Sequence, residues 1–162
     1  MNELVPMWAP HARREIDSLT NRDQVSLIEG DRVAACALAA QIAAVIGSSP
    51  RSVSDAGLLP VPVGSSQELI ERLADECILF DIEAICWQPW LQIEPGRFLR
   101  TLARRSGVIA VWPGLVETGS ASFSTPGRPD HVTFSATGFS VLRVVHTRFP
   151  DEVPFTIERI SG

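Results

Sequence analysis

The sequence predicts a three-layer αβα domain with a mainly parallel central sheet. Three observations carry this expectation. Short β-rich runs alternate with helical runs between residues 24 and 112, the pattern of βαβ units. CILFDI (77–82) and GVIAVW (107–112) are apolar on both faces, as strands covered from both sides are. A chain of 162 residues, 45% hydrophobic and 20% charged, has the size and composition to bury a core.

Along the chain, PHARREIDSLT (10–20) reads as a short amphipathic helix. QVSLIEG (24–30) reads as a strand that feeds at once into an Ala-rich helix over 31–46. Gly47 and Pro50 stop that helix. LLPVPV reads as an imperfect edge strand, where prolines are tolerated. Ser65 and Glu68 form a capping box ahead of the helix SQELIERLADE. CILFDI follows, then a hydrophobic loop or short helical turn over 84–94. Pro95 takes a first helical position in a helix reaching about Arg105, and GVIAVW is the next buried strand. The Gly-, Ser- and Pro-rich stretch 115–131 reads as a loop with a short hairpin. HVTFS and FSVLRVVHT read as strands, and 150–162 as an edge strand or loose tail. Residues 1–162 read as one domain, with an N-terminal helical extension over 1–22 and a β-rich part over 115–162.

The net charge is −5, and every basic residue is Arg. That acidity removes the usual electrostatic argument for nucleic acid. Cys36, Cys77 and Cys86, an odd number in apolar settings, read as reduced core thiols of a cytoplasmic protein. The start lacks a basic stretch followed by an apolar one, so no signal peptide is expected. The longest apolar segment, Val33 to Ile46, is too short to span a bilayer. His11, His131 and His146 lack metal-ligand spacing with any Cys, so no metal site is expected.

In open α/β sheets ligands bind at the carboxyl ends of the strands. A phosphate loop there needs Gly-x-x-x-x-Gly-Lys-Ser/Thr: backbone N–H groups curl around phosphate, Lys neutralises it and the hydroxyl holds Mg²⁺. After its first strand this chain offers Gly30, Asp31, Arg32, Val33, Ala34, Ala35, Cys36 and Ala37. Ala35 stands in place of the second Gly, Cys36 of the Lys, and Ala37 of the hydroxyl. Asp31 adds a negative charge where a triphosphate would lie, a repulsion of about 4 kcal/mol at 4 Å and an effective dielectric near 20. Arg32 offsets part of it. The plain alternative is a helix capped by Asp31. Cys36, near the helix start, reads either as a thiol of lowered pKa or as an inert core residue.

Further candidates follow downstream. Asp81 and Glu83 in CILFDIE read either as an acid that holds Mg²⁺ and a Glu that polarises water, sharing one side if the strand continued, or as structural acceptors of backbone or Arg hydrogen bonds. Arg104, with Arg105, reads as a phosphate sensor or ion-pair partner for these acids, or as compensation of a helix dipole. Trp87 and Trp90 read as an interaction surface or as a lid on the core. Arg97, Arg100 and Arg104 share a helical face and are a nucleic-acid candidate.

Over roughly residues 10–146, and best from Ile78 to Gly114, the chain resembles the BrxF-like small P-loop proteins of bacteriophage-exclusion (BREX) systems. ILFDIEAIC, QPWLQIEP, FLRTLARR and VIAVWPG carry the resemblance, and PGRPDHVTF echoes a later step. It implies a P-loop-NTPase-like αβα fold, with Asp81, Glu83 and Arg104 on family positions and Gly30 alone on the phosphate loop. It also implies an accessory role beside DNA-modifying or helicase-like partners in phage defence. The expected function is therefore a degenerate, non-catalytic scaffold acting through other protein subunits or self-association, with no cofactor. An active NTPase using Mg–ATP and a nucleic-acid-binding subunit are the alternatives.

Overall fold

The computed structural model describes residues 4–5, 10–57, 64–88, 91, 93–124, 126–145 and 154–160. Strands are β1 (Leu4–Val5), β2 (Val25–Glu29), β3 (Arg51–Ser52), β4 (Ile78–Phe80), β5 (Val108–Trp112), β6 (Leu115–Glu117), β7 (Ser120–Phe123), β8 (Val132–Ser135), β9 (Ser140–Val144) and β10 (Phe155–Arg159). Helices are α1 (Pro10–Leu19), α2 (Arg32–Ile46), α3 (Val53–Gly57), α4 (Ser66–Leu73) and α5 (Pro95–Leu102), with a 3₁₀ helix over Ile82–Trp87.

Seven strands form the main sheet in the order β1-β10-β9-β2-β5-β4-β3, and β6-β7-β8 form a small antiparallel sheet. The run from β9 through β2, β5 and β4 to β3 is parallel throughout; β10 and β1 pair antiparallel at the other edge. β2 is therefore central, with β5 on one side and β9 on the other. From β2 the chain crosses to the far edge at β3 and returns through β4 to β5. It then passes through the small sheet before reaching β9 on the opposite side.

Side-chain alternation sorts the core into two layers. Ile28, Ile109, Val111 and Leu142 face α1 and α2, meeting Ile16, Leu38 and Ile42. Leu27, Ala110, Trp112 and Val141 face the other way, toward α3, α4, α5 and the small sheet. All five residues of β5 are buried, which accounts for its unbroken apolar run.

Local chemistry fixes the helix ends. Gly47 ends α2 in a left-handed conformation (φ 69°), its N–H donating to the Ala43 carbonyl. Ser65 Oγ accepts from the Glu68 N–H at 3.2 Å. The Glu68 carboxylate accepts from the Gly64 N–H rather than from Ser65 itself. Glu94 caps α5, accepting from the Gly96 and Arg97 N–H groups at 3.0 and 2.7 Å, with Pro95 at the first position.

α2 departs from the ordinary amphipathic plan. Arg32 and Gln41 are its only polar side chains, yet Val33, Cys36, Ala37, Ala40 and Ala44 are exposed. Cys36 is therefore not the core thiol expected, and Cys77 and Cys86 are half-buried. In so Ala-rich a helix the residue pattern does not mark which face turns inward. The second strand forms at Arg51–Ser52; the LLPVPV segment at 58–63 lies outside the described residues. The tail forms β10, covered on both edges by β9 and β1. Among the described residues no helix is long and apolar enough to cross a membrane.

Candidate functional site at the carboxyl ends of the strands

Because β2, β3, β4, β5 and β9 run the same way, their carboxyl ends share one rim. Gly30 leaves β2 at φ 155°, and a Cβ there would lie 3.2 Å from that of Val144 on β9. The turn is thus built for a residue without a side chain. The next residue, Asp31, folds back on its helix: Oδ2 accepts from the Val33 and Ala34 N–H groups at 3.1 and 3.2 Å. Helix N-terminal amides are the groups that grip a bound anion. Here a carboxylate of the same chain already bonds them.

Arg32, the first residue of α2, turns across the rim. Its guanidinium donates to Asp81 Oδ1 at 3.1 Å and lies 3.8 Å from Glu83 Oε1. The Arg32 charge is thus applied to Asp81 and Glu83. Ser52 Oγ, at the end of β3, donates to Asp81 Oδ2 at 2.7 Å and accepts from the Asp55 N–H at 3.2 Å.

The strand continuation expected through Asp81 does not occur. β4 ends at Phe80, Asp81 takes a left-handed conformation (φ 61°), and the 3₁₀ helix starts at Ile82. The two carboxylates nevertheless meet the same guanidinium, through a turn rather than through strand alternation. A non-glycine residue at positive φ is uncommon, and Asp tolerates it better than most.

Glu83 is 8% exposed. Burial, the largest influence, raises its carboxyl above the usual 4.5; a backbone hydrogen bond and Arg32 pull it down, and Asp81 raises it further. A raised folded-state value means that charging the group opposes folding. Its contribution is fully present below pH 4.5 and is lost as pH rises through the folded value. Glu83→Gln is therefore expected to melt higher than the parent at pH 7, with the gap closing below pH 4.5. Melting curves across that range check it, and a Gln variant that melts lower at both ends overturns it.

A second cluster lies beside the first. Glu29, the last residue of β2, pairs with Arg143 on β9 and accepts from the Val116 N–H at 2.6 Å. Arg143 also donates to the Val116 carbonyl at 2.9 Å and to Glu158 at 3.2 Å. Together Glu29 and Arg143 hold both polar groups of the Val116 main chain, fastening β6 to the main sheet. Glu29 and Gly30, with Pro113, Gly114, Ser122 and Ser124, also border a pocket of about 320 Å³. Sequence reading missed this cluster. A charged residue ending an apolar strand was the available signal, but its partner lies 114 positions away.

Arg104 falls elsewhere. The Ala103 carbonyl accepts from the Asp23 N–H, and the Gly107 N–H donates to the Thr20 carbonyl, both at 2.7 Å. The turn carrying Arg104 and Arg105 therefore sits at the amino ends of β2 and β5, across the sheet from Asp81 and Glu83. The sensor and ion-pair roles expected of Arg104 toward those acids do not fit this placement; a helix capped at Ala103 turns its last residues away from the rim. Arg105 lies 3.5 Å from Asp75. Arg97, Arg100 and Arg104 do come together, bordering a groove between α4 and α5.

Ala35 is buried, whereas Cys36 and Ala37 are exposed. Burial pushes the Cys86 thiol up to about 12, so it stays protonated and weakly nucleophilic. Trp87 ends the 3₁₀ helix; its side chain and all of Trp90 lie outside the described residues. Among the described residues no group of three or more His, Cys, Asp and Glu is placed to hold a metal ion. Comparison with protein-family models, curated proteins and solved structures gives no match.

Proposed function

We propose that this chain is a degenerate, non-catalytic P-loop-like scaffold of a bacterial phage-defence or DNA-modification complex, acting through protein–protein contacts. One observation carries the non-catalytic reading: the rim that would hold a nucleotide is satisfied by the chain itself. The Val33 and Ala34 amides bond Asp31, and Asp81 bonds Arg32 and Ser52. A triphosphate entering here meets the Asp31 carboxylate and must displace it before reaching the amides, in a loop that lacks the phosphate-binding Lys.

The central place of β2, with an acid just past the end of β4, supports a P-loop-like ancestry. The resemblance over 78–114 supplies the defence setting. The exposed apolar flank of α2, with Val33 at 78% exposure, supports contact with another protein.

Thermal-shift titration with Mg–ATP and Mg–GTP tests the reading. A ligand at 100 times its Kd adds about 2.7 kcal/mol of stability. No shift at millimolar nucleotide is expected. A saturable shift that Asp81→Asn abolishes overturns it in favour of an active NTPase.

A further inference from the structure

Between α4 and α5 runs a groove of about 560 Å³. Its lining includes apolar side chains, Ile70 on α4 and Ile93 and Phe98 on either side of the α5 start. Its border is basic, from Arg97, Arg100 and Arg104. Glu94 also lines it, but both oxygens of that carboxylate accept from main-chain N–H groups of α5.

The three arginines are not equivalent. Arg100 is anchored: it donates to the Ser135 and Thr137 carbonyls at 3.1 and 3.4 Å and lies 4.6 Å above the Phe139 ring. Among the described residues, neither Arg97 nor Arg104 has a hydrogen-bond or ion-pair partner for its guanidinium. Both are exposed, Arg97 within α5 and Arg104 in the turn just past its end. In a chain of net charge −5, two guanidinia bordering one groove without partners among the described residues form a local reversal of charge.

We propose that this groove receives a carboxylate-rich peptide segment of a partner protein. An apolar side chain rests on Ile70 and Ile93, and flanking Asp or Glu residues meet Arg97 and Arg104. Guanidinium and carboxylate match as paired donors and acceptors, and a groove between helices is a recurrent seat for peptide anchors. Nucleic acid fits less well. Its affinity comes from neutralising many phosphates, and among the described residues the only ring lining the groove, Phe98, is 2% exposed and offers no stacking platform. A peptide needs only the local field, since charges farther off are screened beyond about 8 Å. The proposal rests on the scaffold reading only in taking the ligand to be a protein.

The test is selection of a random peptide library displayed on phage against the full chain, followed by anisotropy with a labelled synthetic representative. Recovered sequences are expected to carry Asp or Glu around Leu, Ile or Phe. Arg97→Glu and Arg104→Glu are each expected to weaken the representative about tenfold or more. Neither side chain has a partner among the described residues, so both variants should melt with the parent. No enrichment, sequences without carboxylates, or binding that survives both substitutions overturns the proposal. A labelled oligothymidylate bound by the parent and lost in Arg97→Glu, without peptide binding, replaces it with a nucleic-acid site. Neither substitution touches Asp31 or Arg32, so these outcomes are separate from the nucleotide titration.

Discussion

Replacing Trp112 with alanine is expected to destabilise the protein by about 3–5 kcal/mol, as truncation of a fully buried aromatic does. Trp112 ends β5 with no exposed surface. Its ring meets Phe134 edge-on at 5.1 Å and Phe123 at 6.3 Å, and Nε1 donates to the Ser122 carbonyl at 3.1 Å. One side chain thus joins the main sheet to β7 and β8 by packing and by a hydrogen bond. Trp112→Phe keeps much of the packing and leaves the Ser122 carbonyl without its donor, a smaller loss of about 1–2 kcal/mol. Urea unfolding followed by circular dichroism separates the two variants. An alanine variant within about 1 kcal/mol of the parent would show that the small sheet does not depend on this ring.

Arg143→Ala is expected to lower stability by about 2–3 kcal/mol, or about 5–10 °C in melting temperature for a chain of this size. The cost comes mainly from what is left behind. Glu29, with its side chain 15% exposed, loses the cation it pairs with, and the Val116 carbonyl loses the Arg143 donor. Breaking a buried pair from one side strands the other charge, whereas an apolar replacement of both can be nearly neutral. The double variant Glu29→Gln/Arg143→Met is accordingly expected to recover part of the loss. A double-variant cycle in thermal melts measures this, and strictly additive losses would mean that the two groups are not coupled. Arg143→Lys keeps the charge but not the fork that reaches Glu29, Glu158 and Val116 together.

The main sheet was legible because its central strands are apolar on both faces. Val108–Trp112 and Ile78–Phe80 have no competing helical period, and Ser65, Pro95 and Gly47 mark helix ends by chemistry that acts within one turn. β1 was not legible, since two residues have no period and take their structure from β10. The exposed side of α2 was not legible either, because alanine fills both faces of that helix. At the rim, the missing Lys and the capping Asp31 could be read directly, being local. The meeting of Arg32 with Asp81, 49 positions apart, and of Glu29 with Arg143 could not. Arg104 was misplaced although chain order could have placed it: a residue just before a strand lies at that strand's amino end, which in a parallel sheet is the end away from the rim.

Asp31 has one more consequence. The counter-anion at this helix start is tethered by its own backbone, so it cannot be diluted away or exported. Its effective concentration is fixed by a tether of a few bonds and does not follow the cell's supply of phosphate esters. On the scaffold reading proposed above, an unbound and a bound form would not alternate at that helix end as energy charge rises and falls. On that same reading, the surfaces built around it would be offered to a partner without a nucleotide-dependent change.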